Sequence, residues 1–259
     1  MNLVLLALIV SIGMNLILFI PAYLYKTDKL TDISYSATFI AVATVGFLAS
    51  KRTSTQIICF LMVLLWALRL GGFLFLRIHK MKRDKRFDGM REDFFRFLRF
   101  WLYQGVTVFV VLLASTLLWE RKVTVVGVLT IVGLVVFAAG VSLEALADIQ
   151  KYRFKTAGNT TWIDSGVWRM TRHPNYLGEI MVWLGVYLFA FSSLSPTERL
   201  IGVLSPLFIF TLLRFVSGIP LLEKSADQRW GDRKAYQQYK KAVPLLVPTV
   251  ASLTRLTKR

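Results

Sequence analysis

Long apolar runs alternate with short polar segments along the whole chain. The runs lie near residues 2–25, 33–50, 54–76, 100–119, 123–147, 174–195 and 199–219. Most of them approach or exceed the roughly 20 residues that a helix needs to cross the hydrocarbon core of a bilayer. Backbone groups in lipid must be hydrogen-bonded within the segment, so we predict helices and not strands. The sequence therefore predicts an all-α, multi-pass membrane protein with about seven transmembrane helices.

The densest group of polar residues directly precedes and opens the sixth run. Proline suits the first position of a helix and disfavours helical geometry in the residue before it, so we predict that a helix begins at Pro174. Arg172 and His173 then lie at a helix N-terminus, where unpaired backbone N–H groups favour an anion. Tyr176 and Glu179 are three residues apart and share one helix face. The alternative interpretation is a loop-to-membrane junction whose arginine reaches the lipid headgroups, but a carboxylate one turn inside an apolar helix counts against it.

The positions of the basic residues along the chain predict its orientation in the membrane. The 259 residues are 55% apolar and carry a net charge of +17. In a soluble protein this charge would suggest nucleic acid, but here the basic residues cluster between apolar runs, as in cytoplasmic loops that face anionic lipid. With an external N-terminus, the inner segments 26–32, 77–99, 148–173 and 220–259 hold 25 of the 32 basic residues. The sequence predicts a cytoplasmic C-terminus, a bilayer environment and no nucleic-acid partner.

Cysteine and histidine are too few for several kinds of site. Cys59 is the only cysteine, and His79 and His173 are the only histidines. A disulfide within the chain is excluded, and a metal centre would depend mostly on carboxylates, so we expect no metal. No basic segment precedes the first apolar run, so we expect no cleaved signal peptide.

Charged residues at the edges of the second and third runs suggest a polar cavity. Asp32, at the start of the second run, either caps this helix or faces a substrate. Arg69 lies inside the third run, one turn after Trp66, where an arginine is costly unless it is paired or faces water. The loop 77–88 that follows has charges of both signs and is typical of a solvated surface close to lipid.

The fifth run ends in a series of charged residues, and the seventh run contains an arginine. Glu144 and Asp148 are one turn apart and are followed by Lys151 and Lys155, an order that suits a helix C-terminus and would equally suit ribose hydroxyls and phosphates. Arg214 lies inside the seventh run. The tail over 226–241, rich in Arg, Lys and Gln with interleaved aromatic residues, is predicted to be a helix on the inner membrane surface.

The segment 166–179, followed by Trp183, resembles the C-terminal signature of the steroid 5-alpha-reductase-like membrane family, in particular its DUF1295 branch. The segments 147–155 and 217–224, and Arg69–Gly72 followed by Asp84–Phe87, resemble the same branch. Together they cover roughly residues 66–248. The Arg-His-Pro-Asn-Tyr core alone is less specific, because isoprenylcysteine carboxyl methyltransferases carry a similar one.

The resemblance implies seven helices, NADPH in a cytoplasm-facing cavity, and hydride transfer to an activated carbon–carbon double bond of a lipid. It implies a single membrane domain over 1–259, with 1–99 on the substrate side and 100–259 as the cofactor-binding region. The glutamine–glutamate pair that steroid reductases use against the substrate ketone has no clear counterpart here, so sterol, fatty acyl and prenyl lipids all stay open. The expected substrate-side, catalytic residues are Asp32, Trp66 and Arg69. The expected cofactor contacts are Asp148, Lys151, Lys155, Arg172, His173, Asn175, Tyr176, Glu179, Arg214 and Glu223.

Two other functions compete with the reductase. An S-adenosylmethionine-dependent lipid or prenyl-protein methyltransferase fits the Arg-His-Pro-Asn-Tyr core but not the 148–155 and 217–224 segments. A channel or transporter would place its charges along a path through the membrane, whereas most polar positions here cluster at the inner face.

The distribution of basic residues gives a testable topology. Cysteines introduced at Asn2 and Lys258 are expected to react differently with a membrane-impermeant thiol reagent in intact cells. Labelling at residue 2 alone is expected, because the positive segments stay in the cytoplasm. Labelling at residue 258 alone would show that the orientation is inverted.

Overall fold

Helices make up nearly all of the regular structure in the computed structural model, which describes residues 2–80 and 87–255, without the side chains of 76–80. No strand occurs in these ranges. The α-helices are α1 (Leu3–Leu24), α2 (Lys29–Ala49), α3 (Ser54–Lys80), α4 (Phe94–Val111), α5 (Leu113–Glu120), α6 (Val128–Thr156), α7 (Pro174–Phe191), α8 (Pro196–Gly202), α9 (Leu204–Thr211), α10 (Ile219–Trp230), α11 (Lys234–Ala242) and α12 (Val250–Leu253). A π-helical turn, Leu212–Val216, follows α9. Part of the predicted 77–88 loop, residues 81–86, lies outside the described residues.

The all-α membrane prediction is confirmed. Among the described residues, six segments are long and apolar enough to cross a bilayer: Leu3–Leu24, Lys29–Ala49, Ser54–Phe75, Phe94–Val111, Val128–Thr156 and Pro196–Trp230. The sixth predicted run, α7, is not one of them, because Asn175 and Glu179 make its first turns polar. It does begin at Pro174, as predicted. The orientation of the termini stays a prediction.

Two helices begin earlier in the chain than the sequence predicts, and at one of them a capping residue explains the difference. The fourth run begins at Phe94 and not near residue 100, because the Asp93 carboxylate accepts a hydrogen bond from the backbone N–H of Arg96 (3.0 Å). The second helix begins at Lys29, so Asp32 lies in its first turn and does not cap it. Asp28 has the cap position, but its carboxylate pairs with Arg91 (3.0 Å).

The chain divides into two compact units. The first contains Met1–Gly133 and Val186–Phe208, and the second contains Leu134–Gly185 and Ile209–Arg259. The boundaries fall within α6, α7 and α9. In the first unit α1 packs against α2 and α4, and α2 packs against α3.

A buried polar network joins α1, α2 and α4 in the first unit. The Gln104 amide donates to Asn15 Oδ1 (3.0 Å) and to Ser34 Oγ (2.7 Å). Ser11 Oγ donates to the backbone oxygen of Gly105 (2.6 Å). Hydrogen bonds of this kind hold helices together where lipid provides no hydrophobic driving force.

The predicted substrate-side residues also lie in the first unit. Trp66 is completely buried on α3, and its ring meets the edge of Phe39 with centroids 4.9 Å apart. Asp32 on α2 and Arg69 on α3 are half-buried. Their catalytic role stays a prediction.

Two glycines let α6 and α7 touch through their backbones in the second unit. A Cβ on Gly140 would lie 2.7 Å from the nitrogen of Val182 and 2.8 Å from the oxygen of Gly178. A Cβ on Gly178 would lie 2.7 Å from the nitrogen of Glu144. Backbone atoms cannot retreat as a flexible side chain can, so only glycine fits at this crossing.

Gly140→Ala is therefore expected to lower the melting temperature of the protein in detergent, since overpacking costs about 1–3 kcal/mol. Gly13→Ala in α1 is the matched control, because nothing lies within 4 Å of its added Cβ. The control is expected to be neutral or slightly stabilising, since alanine favours a helix over glycine by up to about 1 kcal/mol. Equal melting temperatures for the two variants would contradict the close crossing.

Candidate functional site

A cavity of about 400 Å³ lies within the second unit. Its walls come from the last turns of α6, the segment 159–163, the residues before α7, and helices α10 and α11. Cavities of about 300–1,000 Å³ are typical of small-molecule and cofactor sites. The cavity is therefore large enough for a substantial part of such a ligand.

Positive charge dominates the described lining of this cavity. Lys151 and Lys155 are one turn apart near the end of α6, Arg172 precedes α7, and Arg229 lies on α10. Glu223 is the one acidic residue of that lining. The Lys151 ammonium also lies 5.0 Å from the centre of the Trp168 ring, a cation–π contact that fixes the lysine at the wall. The net positive lining suits an anionic ligand.

Glu223 on α10 joins several of these groups. One carboxylate oxygen, Oε2, accepts from Arg172 Nη1 at 2.6 Å and lies 3.5 Å from the Lys240 ammonium. The other, Oε1, lies 2.8 Å from His173 Nε2. Arg172 and His173 are therefore not simply open to an external anion, as their position before the helix suggested, because the chain supplies a carboxylate of its own.

His173 is nearly buried, with 5% of its surface exposed, and lies outside the six candidate spans. Burial lowers the pKa of His173, because the charged imidazolium loses water, and the contact with Glu223 opposes this shift only in part. The ring stacks on Tyr176, with centroids 5.8 Å apart. At neutral pH His173 is therefore neutral and adds no positive charge to the cavity lining.

Three buried polar atoms of the lining residues lack a hydrogen-bond partner within the described part of the chain. They are the indole Nε1 of Trp162, Nε of Arg172 and Nδ1 of His173. A buried polar atom without a partner costs about 1–3 kcal/mol. Three such atoms therefore belong to the residues that line one cavity.

Four aromatic side chains form a cluster in the wall. Trp162 lies 6.1 Å from Trp230, 5.1 Å from Tyr236 and 6.1 Å from Tyr239, measured between ring centroids. Burial raises the pKa of Tyr236 to about 12 and also raises the pKa of Tyr239, so both phenols keep their protons. Sequence reasoning missed these residues and Arg229 as site residues. For Arg229, Trp230, Tyr236 and Tyr239 the only signal was the alternation of aromatic and basic residues in the tail, and Trp162 had none.

The tail is tied to the segment before α7. The backbone N–H of Arg172 donates to the oxygen of Pro244 (2.9 Å), and the Thr171 hydroxyl donates to the oxygen of Leu245 (3.0 Å). Tyr239 Oη donates to the oxygen of Trp168 (3.3 Å). The tail predicted as one helix over 226–241 is two helices, α10 and α11, which fold back onto this segment.

The other predicted cofactor contacts lie elsewhere in the second unit. Asp148 is nearly buried on α6, and Asn175, Tyr176 and Glu179 are half-buried in the first turns of α7. None of these four belongs to the described lining of the cavity. Their part in cofactor binding stays a prediction.

Arg214 lies in the π-helical turn, with its guanidinium 4.9 Å from the centre of the Phe215 ring. This turn ends just before Gly218, where a Cβ would lie 2.8 Å from the oxygen of Leu213 and 3.1 Å from Cε2 of Tyr176. The close approach brings the start of α10 against the first turn of α7. Tyr176 thus contacts both His173 and the backbone that leads to Glu223.

Comparison with known families places the chain in a described family. The family described as protein of unknown function (DUF1295) matches residues 18–243. No curated protein and no solved structure matches the chain.

Proposed function

The chain belongs to the DUF1295 family, and we propose that it is an NADPH-dependent integral membrane reductase that transfers hydride to an activated carbon–carbon double bond of a lipid. The observation that carries this proposal is the basic, aromatic-walled cavity of the second unit. The resemblance of the segments 147–155, 166–179 and 217–224 to the steroid 5-alpha-reductase-like family supports the same activity. Sterol, fatty acyl and prenyl lipids all remain within the proposed substrate class.

Charge separates this proposal from the methyltransferase alternative. NADPH carries a pyrophosphate and a 2′-phosphate, and phosphates bind strongly to arginine and lysine. S-adenosylmethionine carries a sulfonium cation and no phosphate. The described lining, with Lys151, Lys155, Arg172 and Arg229 against Glu223, therefore favours the dinucleotide.

The buried donors of the lining and its aromatic wall also match groups of a dinucleotide. Arg172 Nε and Trp162 Nε1 are donors without an acceptor among the described residues, and phosphate or carbonyl oxygens would satisfy them. The cluster around Trp162 offers ring faces on which a planar base stacks. NADPH would supply the hydride, and the chain would bind it, orient it and exclude water.

The side-chain charge along α6 changes from negative to positive towards its C-terminal end. Lys151 and Lys155 line the cavity, whereas the buried acids Glu144 and Asp148 precede them by one turn or more. Gly178, the neighbour of Glu179, lies against Glu144. Phosphates suit the lysine end of this surface, and the uncharged nicotinamide of NADPH suits the acidic end. This supports Asn175, Tyr176 and Glu179 as contacts of the nicotinamide half.

Reduction of the double bond needs a proton as well as a hydride. Hydride reaches one carbon of the alkene, and the other carbon takes a proton from a positioned acid. In the proposed enzyme Asp32 is the candidate acid, and Arg69 and Trp66 shape the substrate side of the first unit.

In titrations, purified protein in detergent is expected to bind NADPH and to bind S-adenosylmethionine weakly or not at all. NADH is titrated as a third ligand for comparison with NADPH. Arg172→Ala should weaken NADPH binding by about tenfold or more, because each lost charged hydrogen bond is worth roughly 1.5–3 kcal/mol. Arg233→Ala is the control, since Arg233 is an exposed arginine of the same tail outside the cavity lining. Unchanged affinity in folded Arg172→Ala protein, or preferential binding of S-adenosylmethionine, would overturn the proposal.

Glu179→Gln tests the nicotinamide half of the site. This change keeps the shape and hydrogen-bonding capacity of the side chain and removes its charge. If Glu179 orients the nicotinamide, NADPH binding or turnover should fall by about tenfold, or 1.4 kcal/mol, at an unchanged melting temperature. A lower melting temperature with unchanged NADPH affinity per folded molecule would make Glu179 a structural residue.

A further inference from the structure

The contact between His173 and Glu223 determines where the imidazole carries its proton. Nε2 lies 2.8 Å from Glu223 Oε1, and a carboxylate can only accept. In the neutral imidazole one nitrogen carries the proton and the other keeps its lone pair. Nε2 therefore donates to Glu223, and Nδ1 is left as an acceptor.

The charged groups around His173 are consistent with a neutral ring. Glu223 approaches from α10, Lys151 approaches from α6, and Arg172 is the preceding residue. The two cations and burial lower the pKa of His173, and Glu223 opposes them. The ring of Tyr176 covers one face of the imidazole.

The resulting acceptor has no donor in the described part of the chain. Nδ1 of His173 is buried and without a hydrogen-bond partner there, and His173 lines the cavity. Trp162 Nε1 and Arg172 Nε, by contrast, are donors that lack acceptors. A ligand that satisfies all three atoms brings two acceptors and one donor. A phosphate without its proton offers acceptors only.

We infer that Glu223 is a positioning residue that fixes His173 as a hydrogen-bond acceptor, so that the ligand group bound at His173 is a hydroxyl or an amide N–H and not a phosphate oxygen. The inference rests on the proposed function, in which NADPH supplies phosphate oxygens as acceptors and ribose hydroxyls or the carboxamide as donors. Glu223 itself is already engaged by Arg172, His173 and Lys240, and its charge would repel a phosphate.

Nitrogen NMR of the ligand-free protein tests the proton position directly. The chain has two histidines, so ¹⁵N-histidine labelling of a His79→Gln background reports on His173 alone. At pH 7.5 we expect the imidazole proton on Nε2 and an unprotonated Nδ1. Glu223→Gln is expected to give a mixture of tautomers, because an amide can donate as well as accept. A proton on Nδ1, an imidazolium, or an unchanged tautomer in Glu223→Gln overturns the inference.

Asp227→Asn is the matched control for the loss of charge. Asp227 lies one turn after Glu223 on α10, pairs with Lys240 at 2.6 Å, and is outside the described cavity lining. The same single charge is removed without touching His173. The tautomer of His173 is expected to stay as in the wild type, and a mixture here would show that general electrostatics and not the Glu223 contact sets it.

Binding of two probes tests the consequence for the ligand. Glu223→Gln should weaken NADPH by about tenfold, the effect of one misplaced hydrogen bond. Inorganic pyrophosphate, which offers acceptors only, should bind equally well or more tightly. Tighter binding of both probes would make Glu223 a competing charge, and equal weakening of both would make it a general support of the site. Either result overturns the inference.

A second pair of variants applies if Glu223→Gln does not fold. His173→Asn keeps an amide oxygen near the position of Nδ1, whereas His173→Leu removes every acceptor. NADPH affinity should fall with leucine and largely survive with asparagine, and equal losses overturn the inference. No NADPH binding by the wild type would overturn the proposed function and the ligand part of the inference, while the NMR measurement would still decide the tautomer.

Discussion

The carboxylate of Glu223 is the point at which three parts of the second unit meet. It lies on α10 and contacts Arg172 before α7, His173 beside it, and Lys240 on α11. Only 19% of the Glu223 side chain is exposed, and a charge so far removed from water is tolerated only when it is paired. Because the partners come from the segment before α7 and from α11, the pairing that stabilises the charge also fixes these cavity walls against α10.

Backbone and aromatic contacts extend this arrangement to the tail. The hydrogen bonds from Arg172 and Thr171 to Pro244 and Leu245 hold the chain end beside the segment before α7. The bond from Arg172 uses only backbone groups, so the Arg172 side chain can line the cavity and bind Glu223. Tyr236, in the same tail, packs against Trp162, and only 3% of its surface is exposed. The tail is thus a wall of the site and not only a surface helix.

Local signals predicted the parts of the structure that depend on neighbours in sequence. The apolar runs gave the helices, and proline gave the start of α7 at Pro174. The site depends on partners far along the chain. Arg172 and Glu223 are 51 residues apart, and Thr171 and Leu245 are 74 apart. No local pattern shows that Glu223 meets Arg172, or that burial keeps His173 neutral. The start of α2 is also set by a distant residue, because the Asp28 carboxylate at the cap position pairs with Arg91, 63 residues away.

Because Arg172 pairs with Glu223, the long-range charge of the cavity and its directed hydrogen bonds come from different residues. Arg172 is largely compensated by the carboxylate, so its remaining contribution is a directed donor, Nε, and not a long-range field. Lys155 and Arg229 are exposed members of the lining and supply the attraction that an anion feels from solution. Such attraction is screened within about 8–10 Å at ordinary ionic strength, whereas the buried donors are screened much less. Added salt should therefore slow the association of an anionic ligand more than it changes the hydrogen bonds of the bound ligand. In the proposed reductase, selectivity then depends on Arg172, His173 and Trp162, whose buried polar atoms have no hydrogen-bond partner in the described part of the chain.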